Sequence, residues 1–397
     1  AIRDPLWARG LGDVYKRQLL VYSNVINNEV QIMAKSNRIA VIGAGVVGGS
    51  VAYHLSEFGA DVTVFDKSLA GSGASSHSFA WLNAFGKSPR HYFDLNHRSM
   101  ELWPRFVEKL GQDVGLKWGG VVTYCSGKAG TSELLEQCKK VQEWGYAARL
   151  ISKEEFASLE PDMNIGPFEL GVHTMAEGHV LPTKVAEACM EKVVEFGGKV
   201  HLNSSVESIS SKGEEIHLVV DGDSIVFDKV VIAAGIDATE IALTAGINLP
   251  QRLSPGVVTR TVPLPPIIRN LSSLYLPPSE PGENPIHIRQ DHDGVVMVGA
   301  GDQENESDDD SQEYADSLIE RAVNYFPALS GTGALRVPVG YRPMPIDGLP
   351  VLGFSKKANN VYITLMHLSL IHISEPTRPE RIGGGGVGVE KKKGGGG

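Results

Sequence analysis

The chain has 397 residues, 42% hydrophobic and 21% charged, an ordinary balance for a globular protein. Its formal net charge of −10 argues against a nucleic-acid phosphate backbone as a main partner. No stretch approaches the roughly eighteen uninterrupted apolar residues of a membrane span, and Cys125, Cys138 and Cys189 are too far apart for a zinc site, which together suit a reducing cytoplasm.

Both ends carry a related oddity. Arg9–Gln18 (RGLGDVYKRQ) and Leu368–Thr377 (LSLIHISEPT) can both be encoded by one DNA stretch read on opposite strands, as a sequencing adapter translated through at each end would be. The glycine runs Gly383–Gly386 and Gly394–Gly397 fit the same origin. The expectation is a natural chain from Met33 to about His367, with 1–32 and 368–397 foreign to it.

In chain order, Arg38–Ile42 reads as a buried parallel strand closed by glycine. Val46–Phe58 follows with helical spacing, Val47, Val51, Leu55 and Phe58 forming one stripe and Gly59 the stop. Asp61–Phe65 is a second buried strand, which completes a βαβ unit. Lys184–Phe196 is expected to be a helix, and Lys199–Leu202 and Lys229–Ala233 strands, the latter entering a helix after Gly235. Val257–Val262 and Ile286–Val298 read as antiparallel strands, with Asp293-Gly294 as a hairpin turn. Acidic Asp302–Asp316 reads as a solvated loop, Gln312–Phe326 as a helix, and Val361–Leu365 as a last strand.

Three segments carry chemistry. The first is GAGVVG, comprising Gly43, Ala44, Gly45, Val46, Val47 and Gly48, set between strand and helix. Glycines there allow a tight turn and close approach of backbone to a pyrophosphate at a helix N-terminus. Asp66, 23 residues after Gly43 and followed by Lys67, can accept hydrogen bonds from ribose hydroxyls and repels a 2′-phosphate. A dinucleotide is expected, and this motif alone leaves FAD and NAD open. The second is GSGASSHSFAWLN, Gly71–Asn83, whose Ser75, Ser76 and His77 suit contacts to phosphate and flavin. The third, Val337–Gly353 (VPVGYRPMPIDGLPVLG), reads as a proline-fixed turn with one guanidinium, Arg342, leading into a strand.

The third segment closely resembles the G-x-R-P-x-x-x-D-G-x-P-x-x-G element of the glycine/D-amino-acid oxidase (DAO) family, and the second resembles the Gly/Ser-rich segment of the same family, including sarcosine oxidase and dimethylglycine dehydrogenase. Order and spacing match from Arg38 to His367. The resemblance implies an α/β fold, with a Rossmann-like FAD domain from discontinuous segments (33–85, 180–258 and 335–367). A substrate domain on a mixed sheet would take 86–179 and 259–334. It implies FAD as cofactor, with Val206 offering backbone to the adenine, Ala234 and Gly235 turning below the dinucleotide, and Gly353 near the flavin. It implies oxidation of a C–N bond in a small amino acid or secondary amine, with oxygen or an electron carrier as acceptor. His77 matches the place of a histidine that is covalently joined to flavin in some members and uncoupled in others. Arg342 is the candidate carboxylate anchor, a structural ion pair being the alternative. The competing readings are an NAD-linked dehydrogenase, which leaves Arg342–Gly353 unexplained, and a flavin-binding protein without catalysis.

Overall fold

The computed structural model describes residues 37–278, 282–300 and 308–365. Met33, His367, both adapter-like segments and the glycine runs lie outside these residues.

The first βαβ unit seeds a six-stranded sheet in the order Val351–Phe354, Val361–Leu365, Lys229–Ile232, Arg38–Ile42, Asp61–Asp66, Lys199–Leu202. All neighbours are parallel except the edge strand Val351–Phe354. Its inner strands are apolar on both faces because both faces are covered. Ile39, Val41, Val62 and Val64 face the helices Val46–Glu57 and Pro182–Glu195, which pack closely at Gly49 and Cys189. Ala40, Ile42, Phe65, Val230 and Ile232 face the antiparallel sheet formed by Val206–Lys212, Glu215–Val220 and Asp223–Phe227.

A second, seven-stranded mixed sheet draws on other parts of the chain, in the order Val258–Arg260, Val296–Ala300, Ile286–Gln290, Ser273–Leu276, Val121–Cys125, Leu170–Thr174, Ala148–Ile151. Helix Gln312–Val323 covers it through Leu318, Ile319 and Ala322. The chain passes between the two large sheets through two small ones: the ribbon Gln251–Gly256 with Gly340–Pro345, and Trp81–Leu82, Gly178–His179 and Lys117–Trp118.

Several expectations shift. The segment around Arg342 is a strand rather than a turn, with the turn following at residues 346–350. Its prolines are accommodated because a two-stranded ribbon has free edges, where a missing N–H costs nothing. The same pairing pulls Gln251–Gly256 into a strand and interrupts the expected run at Val257. The helix expected from Lys184 begins at Pro182, which suits the first turn. Of the acidic stretch, 302–307 lies outside the described residues. Asp310 pairs with Arg336 at 2.9 Å, and Asp316 sits within the helix, accepting from the Ala334 N–H at 3.1 Å. The helices Arg90–Leu110, Thr131–Glu143 and Lys153–Leu159 are additions to the elements expected from sequence.

Glu160, fully buried, joins two parts of the second sheet's surroundings. Its carboxylate accepts from the backbone N–H groups of Arg269 (2.7 Å), Asn270 (2.9 Å) and Leu271 (2.7 Å). Glu160→Ala strands these donors and is expected to destabilise the protein by about 2–4 kcal/mol, measured as a lower denaturant midpoint. An unchanged midpoint would contradict the clamp.

Candidate active site

Gly43 has φ of +110°, and a Cβ there would stand 2.4 Å from the Ala233 carbonyl oxygen. Gly48 is equally constrained, since its Cβ would lie 1.9 Å from the Gly43 carbonyl oxygen. The loop thus packs helix against strand with no side chain between them. Helix Val46–Glu57 starts at Gly45 with no side-chain cap and no acidic residue in its first turn. A positive helix end is therefore left open to an anion. The Ser75 hydroxyl accepts from the Val46 N–H at 3.1 Å and so ties the second motif to the first.

This helix end borders a cavity of about 1820 Å³ between the two large sheets. That exceeds the roughly 300–1,000 Å³ of an ordinary ligand site and leaves room for a dinucleotide and a substrate together. Gly43, Gly45, Val46, Val47, Asp66, Lys67, Ser75, His77, Val206, Ala234, Gly235 and Arg342 all line it. The Asp66 carboxylate accepts from the N–H groups of Ala44 (2.7 Å) and Ser68 (2.9 Å), and a carboxylate has capacity for about two more bonds. Lys67 pairs with Asp237 at 2.7 Å. The open helix end, glycine contacts and acceptor carboxylate fit a dinucleotide such as FAD.

Four expected residues do not line the cavity. Ala44 and Gly48 are buried beneath the loop, and the Ser76 hydroxyl is turned toward the carbonyls of Ser72 (2.8 Å) and Gly73 (2.9 Å). Gly353 pairs with Ile363 on the edge strand, after a turn that brings Gly348 to the cavity.

His77 has Nδ1 within 2.9 Å of Ser76 Oγ and 3.1 Å of the Gly73 carbonyl, and its Cβ occupies the space that a side chain on Gly340 would need. Two residues on from Gly340, Arg342 donates from Nη1 to the Pro255 carbonyl at 2.8 Å, its guanidinium lying over Gly256. Beside it runs an aromatic wall that local sequence did not announce. Tyr275 stands opposite His287 in the antiparallel pair, so their rings share a face and stack at 6.4 Å. Trp81 stacks on Tyr275 at 6.5 Å, and Phe79 meets His287 edge-on at 4.4 Å. Burial, assisted by the Arg342 charge, pushes His287 down to about 3, so its ring is neutral at ordinary pH.

Two buried charged groups stand behind this wall. Arg289 donates to the Val180 carbonyl (3.0 Å), pairs with Asp291 (3.1 Å) and sits 5.5 Å from the Phe79 ring centre. Glu177, fully buried, accepts from the Trp81 indole N–H (3.0 Å), the Phe85 N–H (3.1 Å) and the Tyr146 hydroxyl (2.8 Å). Burial outweighs these donors and raises its carboxyl to about 7. A raised carboxyl favours the folded state when protonated. This contribution is fully present below pH 4.5 and is lost as pH rises to about 7. Glu177→Gln is therefore expected to remove a pH dependence of at most about 3 kcal/mol across that window. Denaturation at several pH values checks this, and identical pH slopes for both proteins would contradict it.

Comparison with known proteins adds the family. Residues 38–370 match the family DAO, FAD dependent oxidoreductase. A component of the opine oxidase of Rhizobium meliloti is 25% identical over 83% of this chain and 88% of its own length. Mouse mitochondrial dimethylglycine dehydrogenase is 25% identical over 81% of this chain and 39% of its own. The crystal structure of glycine oxidase from Geobacillus kaustophilus superposes with a TM-score of 0.76 at 22% identity, covering 86% of this chain and 93% of the other. The family match sets the NAD reading aside: the chain belongs to the DAO family of FAD-dependent oxidoreductases, and FAD is its cofactor.

Proposed function

We propose that the chain oxidises the C–N bond of a small amino acid or secondary amine, with its carboxylate held by Arg342. The observation that carries this reading is a guanidinium lining the same cavity as the open helix end, next to an uncharged aromatic wall. The kinship with opine oxidase and dimethylglycine dehydrogenase supports an amine as the class. A carboxylate anchor in the cavity also favours an enzyme over a flavin-binding protein without catalysis.

In this proposal Gly43, Gly45, Val46 and Val47 hold the pyrophosphate, Asp66 the ribose and Val206 the adenine side. Lys67, Ala234 and Gly235 flank them, and Ser75 and His77 approach the flavin. Ala44, Gly48 and Ser76 support from beneath. Bound FAD supplies a hydride acceptor. Arg342 orients the substrate through two parallel N–H···O bonds, and the wall of Trp81, Tyr275 and neutral His287 keeps water from the reacting carbon. The carbon next to nitrogen gives up a hydride as the nitrogen lone pair forms C=N, and water then hydrolyses the imine. No side-chain base is needed if the amine arrives neutral. His77 keeps Nδ1 in its own loop, which supports a non-covalent contact. Residues 33–85, 180–258 and 335–367 form the cofactor domain and the segments between them the substrate domain.

Three free cysteines support a cytoplasmic setting, and among the described residues no helix is long and apolar enough to cross a membrane. Oxygen or an electron carrier takes the electrons onward.

Arg342→Ala is expected to raise KM for carboxylate-bearing amines roughly 10–100-fold, the worth of a charged hydrogen-bonded pair, and to leave simple amines within about twofold. Steady-state kinetics on both classes checks it. Equal effects on the two would assign Arg342 a structural role instead.

A further inference from the structure

Ser75, Ser76 and His77 are consecutive, yet each reaches a different part of the fold. The Ser75 hydroxyl accepts from the Val46 N–H at the head of the cofactor helix (3.1 Å). The His77 Cβ lies 2.3 Å from where a Cβ on Gly340 would stand, and Gly340 is paired with Gly256 in the ribbon that carries Arg342. Between these two contacts, the Ser76 carbonyl accepts from Arg260 Nη2 at 2.6 Å. Arg260 belongs to the second sheet, so one short segment touches the cofactor helix, the ribbon and the substrate sheet.

No side chain from Ser72 to Ser78 is buried, so polar ties rather than apolar packing hold this segment. Within it, short turns run from the Ser76 N–H to the Gly73 carbonyl (3.0 Å), from His77 to Ala74 (3.3 Å) and from Ser78 to Ser75 (3.4 Å). These bonds join the turns into one unit, and fixing the Ser76 carbonyl fixes its neighbours too. Arg260 has a firm base for that. Its backbone pairs with Met297 on one side and bridges Leu335 on the other, its carbonyl accepting from the Leu335 N–H at 2.6 Å. Side chains alternate along a strand, which puts Arg260 on the same face as Val258, a residue that lines the cavity. A guanidinium donating to a carbonyl is charge-assisted and roughly twice as strong as a neutral hydrogen bond.

We propose that Arg260 is a positioning residue for FAD: from the substrate sheet it holds the Gly73–Ser78 turns by their Ser76 carbonyl, so that Ser75 and His77 are in place before the cofactor arrives. This inference rests on the reading that Ser75 and His77 face the cofactor, and it is independent of which substrate is oxidised. Order set in advance raises affinity because less of it has to be imposed on binding.

The test titrates FAD into the cofactor-free protein and follows amide hydrogen exchange of residues 72–78 with and without FAD. Arg260→Met is expected to weaken FAD binding about tenfold, within the worth of a charged hydrogen bond. It should also speed exchange of residues 72–78 in the cofactor-free protein, while the inner strand Ile286–Gln290 keeps its protection. Arg260→Lys retains a cationic donor, and a carbonyl needs no bidentate fork, so its affinity should stay within about threefold of the parent. If Arg260→Met yields no folded protein, Arg260→Gln, uncharged and too short to span the gap, replaces it with the same expectation. Affinity unchanged in the uncharged variant overturns the proposal, as does a Lys variant that binds no better than the Met one. A purely structural role would expose Ile286–Gln290 and leave the affinity of the folded fraction intact. The underlying reading is judged in the parent protein alone: if FAD leaves exchange of residues 72–78 unchanged, Ser75 and His77 do not face it, whatever Arg260 does.

Discussion

A Cβ on Gly43 would stand 2.4 Å from the Ala233 carbonyl, and one on Gly48 closer still to the Gly43 carbonyl. Around this bare contact the strands Arg38–Ile42 and Lys229–Ile232 lie in register, the helix from Val46 starts uncapped, and Ala234 and Gly235 turn outward at the cavity edge. Any side chain wedged in here would push the helix from the sheet and remove the open amide end with it. The cofactor half of the site is thus a consequence of backbone packing.

The proposed substrate half rests on buried charge. Glu177 holds the Trp81 ring and the Phe85 backbone from behind, and Arg289 lies behind Phe79. Each fixes an aromatic residue that lines the cavity, and each is paired or hydrogen-bonded in turn, as buried ionic groups must be. Rigid neutral walls in front and satisfied charges behind leave Arg342 as the proposed substrate anchor on this side of the cavity.

What the sequence disclosed follows from how local each feature is. Gly43–Asp66 was readable because a βαβ unit places strand, turn, helix and acceptor within one continuous run, and the buried strands are apolar throughout. Arg342 was readable as part of a dense proline and glycine pattern, although the strand it occupies was not, since its partner Gln251–Gly256 lies some ninety residues away. Helix Arg90–Leu110 is hard to read despite a usable signal: Phe93, Met100, Trp103, Phe106 and Leu110 recur on one face, but Pro104 and many charges interrupt the stripe. Tyr275, His287, Trp81 and Glu177 had no shared local signal. They meet only because Ser273–Leu276 pairs with Ile286–Gln290 and Gly178–His179 with Trp81–Leu82. Spacing along the chain likewise does not reveal that the turn at Gly348, and not Gly353, is what borders the cavity.

The most direct test is to mix the FAD-loaded protein, without oxygen, with amines and with their hydroxy counterparts, and to follow the flavin's visible absorption. The account predicts loss of that absorption with carboxylate-bearing amines and none with the matching hydroxy acids. A protein that takes up no FAD, or whose flavin is reduced by hydroxy acids and by no amine, would contradict it.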